Sequence, residues 1–368
     1  IAGSCLPPDG EGEGEGEGES DACATDNGGC AHICTSDVQD TYICSCNPGY
    51  TLNEDGQSCD FVSPCGEDYL VGDFDVNIEA IDDFDLVDEY CEITGDFVLE
   101  ESTLTSFDLP NLKAIGGDII IKNNAALGTL LGLRNLVQIG GSLTITNNPE
   151  IVTLSGLGKV VSVGTNIVVE HITDLTEISL SKLTEVGGYV HITANSNLSS
   201  VLLPLISNIG GDFILSDSDI EELSLPALGS IDGDFAVATN DALTDISLPL
   251  LGSVAGDFDV FDFTLLESIA SPKLESVGGE LKIYGNALLE NISFEKLESV
   301  GGAFNIAGNS VLENIPFPLL ANVAGWFQVY SNTVSTDISF PKLESVGGDF
   351  AVDANAVLEN IFFPLLAS

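Results

Sequence analysis

A glycine that returns every 22 to 24 residues constrains this chain more than any other feature. It stands at Gly72, Gly95, Gly117, Gly141, Gly188, Gly211, Gly233, Gly256, Gly279, Gly302, Gly325 and Gly348, and Thr165 after Gly164 takes the equivalent place in the fifth unit. Thirteen units result, and their likeness goes well beyond glycine. In the unit from Gly233, the apolar residues Phe235, Val237, Leu243, Ile246, Leu248, Leu251 and Val254 lie two, four, ten, thirteen, fifteen, eighteen and twenty-one places after the glycine. The unit from Gly302 places Phe304, Ile306, Leu312, Ile315, Phe317, Leu320 and Val323 identically. Local spacings of two and three, broken by Gly, Asn and Pro, predict short strands joined by tight turns, and no stretch sustains the 3.6-residue period of a helix. One such unit cannot bury its apolar side, but stacked units can. The expected fold is all-β: a solenoid of about thirteen coils spaced ~4.8 Å apart, hence a rod of roughly 60 Å.

Two columns support stacking. Asn falls seven places after the glycine at Asn124, Asn148, Asn195, Asn240, Asn286, Asn309, Asn332 and Asn355. An inward amide there is expected to bond turn backbone and its counterparts in adjacent coils; the column reads as architecture, not as a ligand stripe. Pro recurs fifteen or sixteen places after the glycine, at Pro110, Pro204, Pro226, Pro249, Pro272, Pro318, Pro341 and Pro364, where it fixes a corner.

The 58 acidic residues face 9 basic ones, a formal charge of -49, and Lys113 is the first basic side chain. A field this negative repels nucleic acid and anionic lipid. It favours divalent cations, a basic partner or a saline setting, or simply solvates an exposed repeat surface. Residues 1–22 hold an alternating Glu/Gly tract from Gly10 to Glu19 that has nothing to bury, so alone it is expected to be an extended linker. No apolar run is long enough to span a membrane. The chain starts at Ile1 and holds no Met, which points to a processed, secreted form.

Nine cysteines occur, and six of them fall between Cys23 and Cys59. That density implies a disulfide framework and an oxidising compartment, and six cysteines alone allow fifteen pairings. Cys65 and Cys91 lie about one coil apart, where a bond would cap the first turn. Cys5 is left over; it bonds another chain, finds an intrachain partner or stays a thiol. Sequons stand at Asn197-Leu-Ser199 and Asn291-Ile-Ser293, both on outward parts of the coil pattern, so Asn197 and Asn291 are glycosylation candidates.

The repeats, as in Leu274-Glu-Ser-Val-Gly-Gly279 and Phe340-Pro-Lys-Leu-Glu-Ser-Val-Gly-Gly348, resemble the leucine-rich solenoid of receptor L domains, and more closely the receptor-L-like repeats of fungal GPI-anchored wall proteins. The resemblance covers residues 60–368 and implies a right-handed β-helix. Residues 23–59, with Asn27-Gly-Gly-Cys30 and Asn47-Pro-Gly-Tyr50, resemble an EGF-like module. That family implies Cys23–Cys34, Cys30–Cys44 and Cys46–Cys59 pairing, staples that a domain this small needs. Some EGF-like modules bind calcium just before the first cysteine. Glu19 and Asp21 are suitably placed, and Asp37 with Tyr42 partly matches the central motif. Against this, Ala22 replaces the usual acid beside Cys23, and the gap from Cys34 to Asp37 is one residue too long. Calcium wants six to eight oxygen ligands, so the set Glu19, Asp21 and Asp37 is incomplete and calcium is a weak candidate; no other cofactor is indicated.

Catalysis finds little support. The single arginine, Arg134, and the three histidines, His32, His171 and His191, form no constellation, and the repeat shows no long inserted loop to build a cleft. The expectation is a non-enzymatic, secreted structural subunit of an extracellular filament or surface appendage, a homo-oligomer assembling through solenoid ends and EGF-like heads. The tubular flagellar hairs of algae, which carry EGF-like modules, resemble that combination. The alternative is an adhesion or receptor ectodomain for a protein or glycan ligand, for which Trp326 and Tyr330, near Phe261 and Phe263, would supply an aromatic face.

Overall fold

The computed structural model describes residues 30–31, 33–37, 41–46, 50–62, 65, 69–70, 74–76 and 90–366 of the 368. They form an all-β chain: a disulfide-rich module followed by a parallel β-solenoid. Coils are numbered here from the repeat glycine, coil 1 from Gly72 to coil 13 from Gly348. Two ladders run along the solenoid, each a thirteen-stranded parallel sheet among the described residues. One is built from the strand after the glycine, such as Phe235–Ala238 and Phe258–Phe261; the other from two-residue strands before it, such as Ser253–Val254. Register holds from rung to rung, so that Phe235 faces Phe258 and Val237 faces Val260. Thirteen rungs correspond to twelve steps, about 58 Å at ~4.8 Å each.

The third side is broken into shorter sheets of two, four and three strands. Coil length explains part of this. Coils 3 and 4 have 24 residues, and each places a 3₁₀ turn on that side, Leu131–Leu133 and Ser155–Leu157, which takes up the extra residue. Coil 7 has 22 residues, and the third-side ladder is interrupted between Ser200–Leu202 and Glu222–Ser224 beside it.

The seven apolar positions of the repeat point to the axis: Phe235, Val237, Leu243, Ile246, Leu248, Leu251 and Val254 are all within 1% of full burial. Phenylalanines fill the C-terminal coils in two columns. Phe304, Phe327 and Phe350 stack 4.9 Å apart, and Phe294, Phe317, Phe340 and Phe363 stack at 5.3–5.6 Å. The columns meet edge to face, as between Phe327 and Phe340 at 5.0 Å, a favoured arrangement of ring quadrupoles.

The Asn column is buried from Asn124 to Asn332 and works as the repeat pattern requires. The Nδ2 of Asn309 donates to the Ile283 carbonyl of the coil before at 3.0 Å, and its Oδ1 accepts from the Asn286 amide at 3.2 Å. It thereby satisfies backbone groups at a turn where no ladder bond is available. The turn itself needs a left-handed residue one place before the Asn position, whether that position holds Asn or, as at Ser102, Ile172, Ser218 and Phe263, another residue. Glu101, Asn123, Asn147, His171, Ala194, Asp217, Thr239, Asp262, Ser331 and Ala354 adopt φ of 50–62° there, and Gly285 and Gly308 do so at 70° and 65°.

Candidate functional site

The disulfide module is two antiparallel pairs, Ile33–Asp37 with Thr41–Ser45 and Tyr50–Leu52 with Cys59–Phe61. Cys30 is bonded to Cys44 and Cys46 to Cys59, with Cα separations of 5.3 and 5.7 Å. Cys34 is also disulfide-bonded, while Cys23 lies outside the described residues. Cys65 and Cys91 are bonded at the start of the solenoid, next to the pairing of Tyr69–Leu70 with Glu92–Ile93. The module touches the solenoid through Tyr50, whose hydroxyl donates to the carbonyls of Gly116 and Gly140 at 3.4 and 3.3 Å. Burial, and then the nearby Asp118 charge, raise the Tyr50 pKa, so the phenol stays a donor.

Of the residues proposed from sequence, Cys5, Glu19 and Asp21 lie outside the described residues. Asp37 ends the first module strand. Among the described residues, no three His, Cys, Asp or Glu side chains gather in a metal-holding group. No helix is long and apolar enough to cross a membrane. Asn197 and Asn291 are both exposed; Asn197 donates to the Thr173 carbonyl at 2.7 Å, and Asn291 lines a 380 Å³ surface groove with Glu290, Glu313 and Asn314.

The richest chemistry lies on the outer face of the long-strand ladder in coils 9 to 12. Alternation in a strand sends the residues three and five places after the glycine outward, opposite the core pair. Register therefore aligns Asp259, Lys282, Asn305 and Gln328 in one column and Phe261, Tyr284, Ala307 and Tyr330 in the next. The Phe261 and Tyr284 rings stack at 4.9 Å and 3°. Lys282 reaches three carboxylates, those of Glu280, Asp257 at 3.7 Å and Asp259 at 3.8 Å. Burial pulls the Lys282 ammonium pKa down, but its bond to Glu280 and the surrounding acids outweigh that and raise it. Burial pushes Asp259 up to about 6; Lys282 opposes the shift, and Asp257, Glu280 and Asp234 reinforce it. Its Oδ1 has no hydrogen-bond donor, and neither does the Oδ1 of Asn305.

Coil 11 is unlike its neighbours on this face. It carries Ala303, Asn305 and Ala307 between a rung with Glu280, Lys282 and Tyr284 and a rung with Trp326, Gln328 and Tyr330. Ala303 and Ala307 are 2% and 3% exposed although they belong to the outer face, so the larger side chains of the flanking rungs lie over them. Tyr330 is 40% exposed. The aromatic face expected from sequence needs one correction. Phe263 occupies the Asn-column position of coil 9, is 1% exposed, and packs inside, so it is core and not part of the face. Tyr284, Asn305 and Gln328 were missed; reading outward positions down columns 23 residues apart finds them.

The family model for the coagulation factor Xa inhibitory site matches residues 23–59, the disulfide module. Among curated proteins, the zinc metalloproteinase nas-39 of Caenorhabditis elegans is 49% identical over 39 residues, 11% of this chain and 4% of that protein. Endosialin of Mus musculus and of Homo sapiens are each 42% identical over 45 residues, 12% of this chain and 6% of theirs. The chain therefore spans only a small fraction of the curated relatives it matches. The EGF-like, factor Xa inhibitory-type character of the N-terminal module is shown; the solenoid rests on its own geometry.

Proposed function

We propose that this chain is a non-enzymatic structural rod of an extracellular surface or matrix assembly, and that it builds a filament or surface appendage of the hair or wall-fibre kind. The observation that carries the reading is the pair of thirteen-rung ladders, which run from coil 1 to coil 13 with no interruption. Such a stack supplies stiffness, because each rung is bonded to both neighbours through backbone, Asn column and core. The disulfide module, of a type found in extracellular chains, is tethered to the rod at Tyr50 and supplies a head for lateral contact.

On the outer edge of coil 13, Phe350, Ile361, Phe362 and Leu365 are 43–56% exposed. A further rung laid on that edge covers them and pairs its free backbone groups. That rung is either a continuation of this chain or, in the filament form, a neighbouring copy, whose repeated, non-closing contact propagates. The test is negative-stain imaging with light scattering on the full chain over rising concentration, with calcium and without reductant. Rods about 60 Å long that join end to end are expected. Dispersed single particles at every concentration would remove the filament form. A ligand-binding ectodomain is the second reading, favoured by the aromatic and amide face of coils 10 to 12.

A further inference from the structure

We propose that the outer face of coils 10 to 12 binds an uncharged glycan chain, laid along the Asn305 rung with Tyr284 and Tyr330 at one end and Trp326 at the other. The inference does not depend on the rod reading, which is judged by particle shape and not by ligand.

A straight parallel ladder offers no deep cleft, so a ligand must be held by flat contact and by hydrogen bonds aimed outward. Coil 11 contributes no bulk, and the flanking side chains lie over its alanines, so a ligand meets aromatic groups at both ends and amides between them. From the Trp326 position to the Tyr330 position is four residues of strand, about 13 Å, the length of a short oligosaccharide. Sugar rings present C–H faces that pack on aromatic rings and hydroxyls that point sideways, which matches aromatic ends around a polar centre.

The polar centre selects for neutral ligands. Asn305 and Gln328 are both partly exposed on this face. A sugar hydroxyl can accept from either amide N–H and donate to the Gln328 carbonyl oxygen. Lys282, in the same column, is already held by Glu280, Asp257 and Asp259, so it offers no free cation to an acidic sugar. The chain's charge of -49 repels anionic glycans further. A basic peptide is drawn to acids anywhere on the molecule, but nothing on a rung of Ala, Asn and Ala would select it.

Trp326 is the sole tryptophan, so its emission reports on this face alone. The experiment titrates the full chain with hexamers of glucose, mannose and N-acetylglucosamine, with an oligouronate and an oligolysine as charged comparators. A saturable shift in emission is expected with at least one neutral hexamer. Tyr330→Ala should weaken it about tenfold with an unchanged melting temperature, since the ring is half exposed. Asn305→Leu, tested beside it, should weaken binding without touching an aromatic contact. The proposal fails if all neutral hexamers leave the emission unchanged, if both variants bind as the parent does, or if oligouronate or oligolysine binds more tightly than every neutral hexamer.

Discussion

Asp259 shows at the residue scale how one side chain can oppose the fold that places it. Its carboxyl ionises at about 6 in the folded chain, against 3.8 for the free group, chiefly because it is desolvated. Between about 3.8 and 6 the unfolded chain has released its proton while the folded one still holds it, so stability falls across that window. It stays lower above the window, where the folded state holds a charge that the unfolded chain solvates better. Below about 3.8 both states are protonated and the cost vanishes. Asp259→Asn should therefore raise the melting temperature at pH 7.5 and leave it unchanged at pH 3.5. The gain at pH 7.5 should be about 1–2 kcal/mol. The full shift equates to roughly 3 kcal/mol, but the side chain keeps 21% exposure and its contact with Lys282 is lost in the variant. An equal gain at both pH values would mean that the effect is packing and not charge.

Within the single coil, the Gly-Asp pair of the repeat has a mechanical reason. Asp234 Oδ1 accepts the amide of Asp257 in the next coil at 2.7 Å, and Asp212 and Asp257 do the same for Asp234 and Glu280 at 2.8 and 2.7 Å. A Cβ on Gly256 would stand 2.0 Å from that Asp234 oxygen. Backbone crowds the same spot, the Gly233 carbonyl carbon at 2.8 Å and the Asp234 nitrogen at 2.9 Å. Gly325, which stands above Ala303, meets the Gly302 carbonyl carbon at 2.7 Å, so glycine is required by the close approach of successive turns with or without an Asp. The exception proves informative: where the lower coil has Ser142, the upper carries Thr165, and their hydroxyls bond at 2.7 Å. Gly256→Ala should cost about 1–3 kcal/mol. Adding Asp234→Ser should not recover that loss in a thermal melt, because the backbone contacts remain and the cross-rung bond to the Asp257 amide goes with the carboxylate. A full recovery would mean that the carboxylate alone excludes the side chain. Much of this was legible in the sequence, since glycine spacing, the apolar positions and the Asn column all name their places. What stayed hidden is conformational. Gly285 and Gly308 mark the left-handed turn, Asn123, Asn147, Asp217 and Asp262 tolerate it, and the remaining coils impose it on ordinary residues such as Glu101, Ala194 and Thr239. The 3₁₀ turns at Leu131–Leu133 and Ser155–Leu157 were visible only as two coils of extra length. Phe263 was misplaced because it stands where the pattern predicts Asn, and local sequence does not say which way such a residue faces.

The whole molecule carries 58 acids against 9 Lys and Arg, and its ion pairs take up few of them. Among the described residues, Lys122 pairs with Glu100, Arg134 with Asp108, and Lys282 with its three carboxylates. Most acids therefore repel one another along a rod whose successive coils lie well inside a Debye length at any ordinary ionic strength. Stacking brings like charges together that the unfolded chain keeps apart, so salt must favour the folded state. Raising NaCl from 0.01 to 0.15 M shortens the screening length from ~30 to ~8 Å. The melting temperature should climb by several degrees over that range and then level off. If diffuse repulsion is the cause, CaCl2 and MgCl2 at matched ionic strength should act alike, since screening depends on charge and not on coordination geometry. A larger rise with calcium alone would point to a dedicated oxygen site and return attention to Glu19, Asp21 and Asp37. A flat response to all three salts would mean that the acids are spaced widely enough to be silent, and the solenoid's negative field would then concern its partners and not its stability.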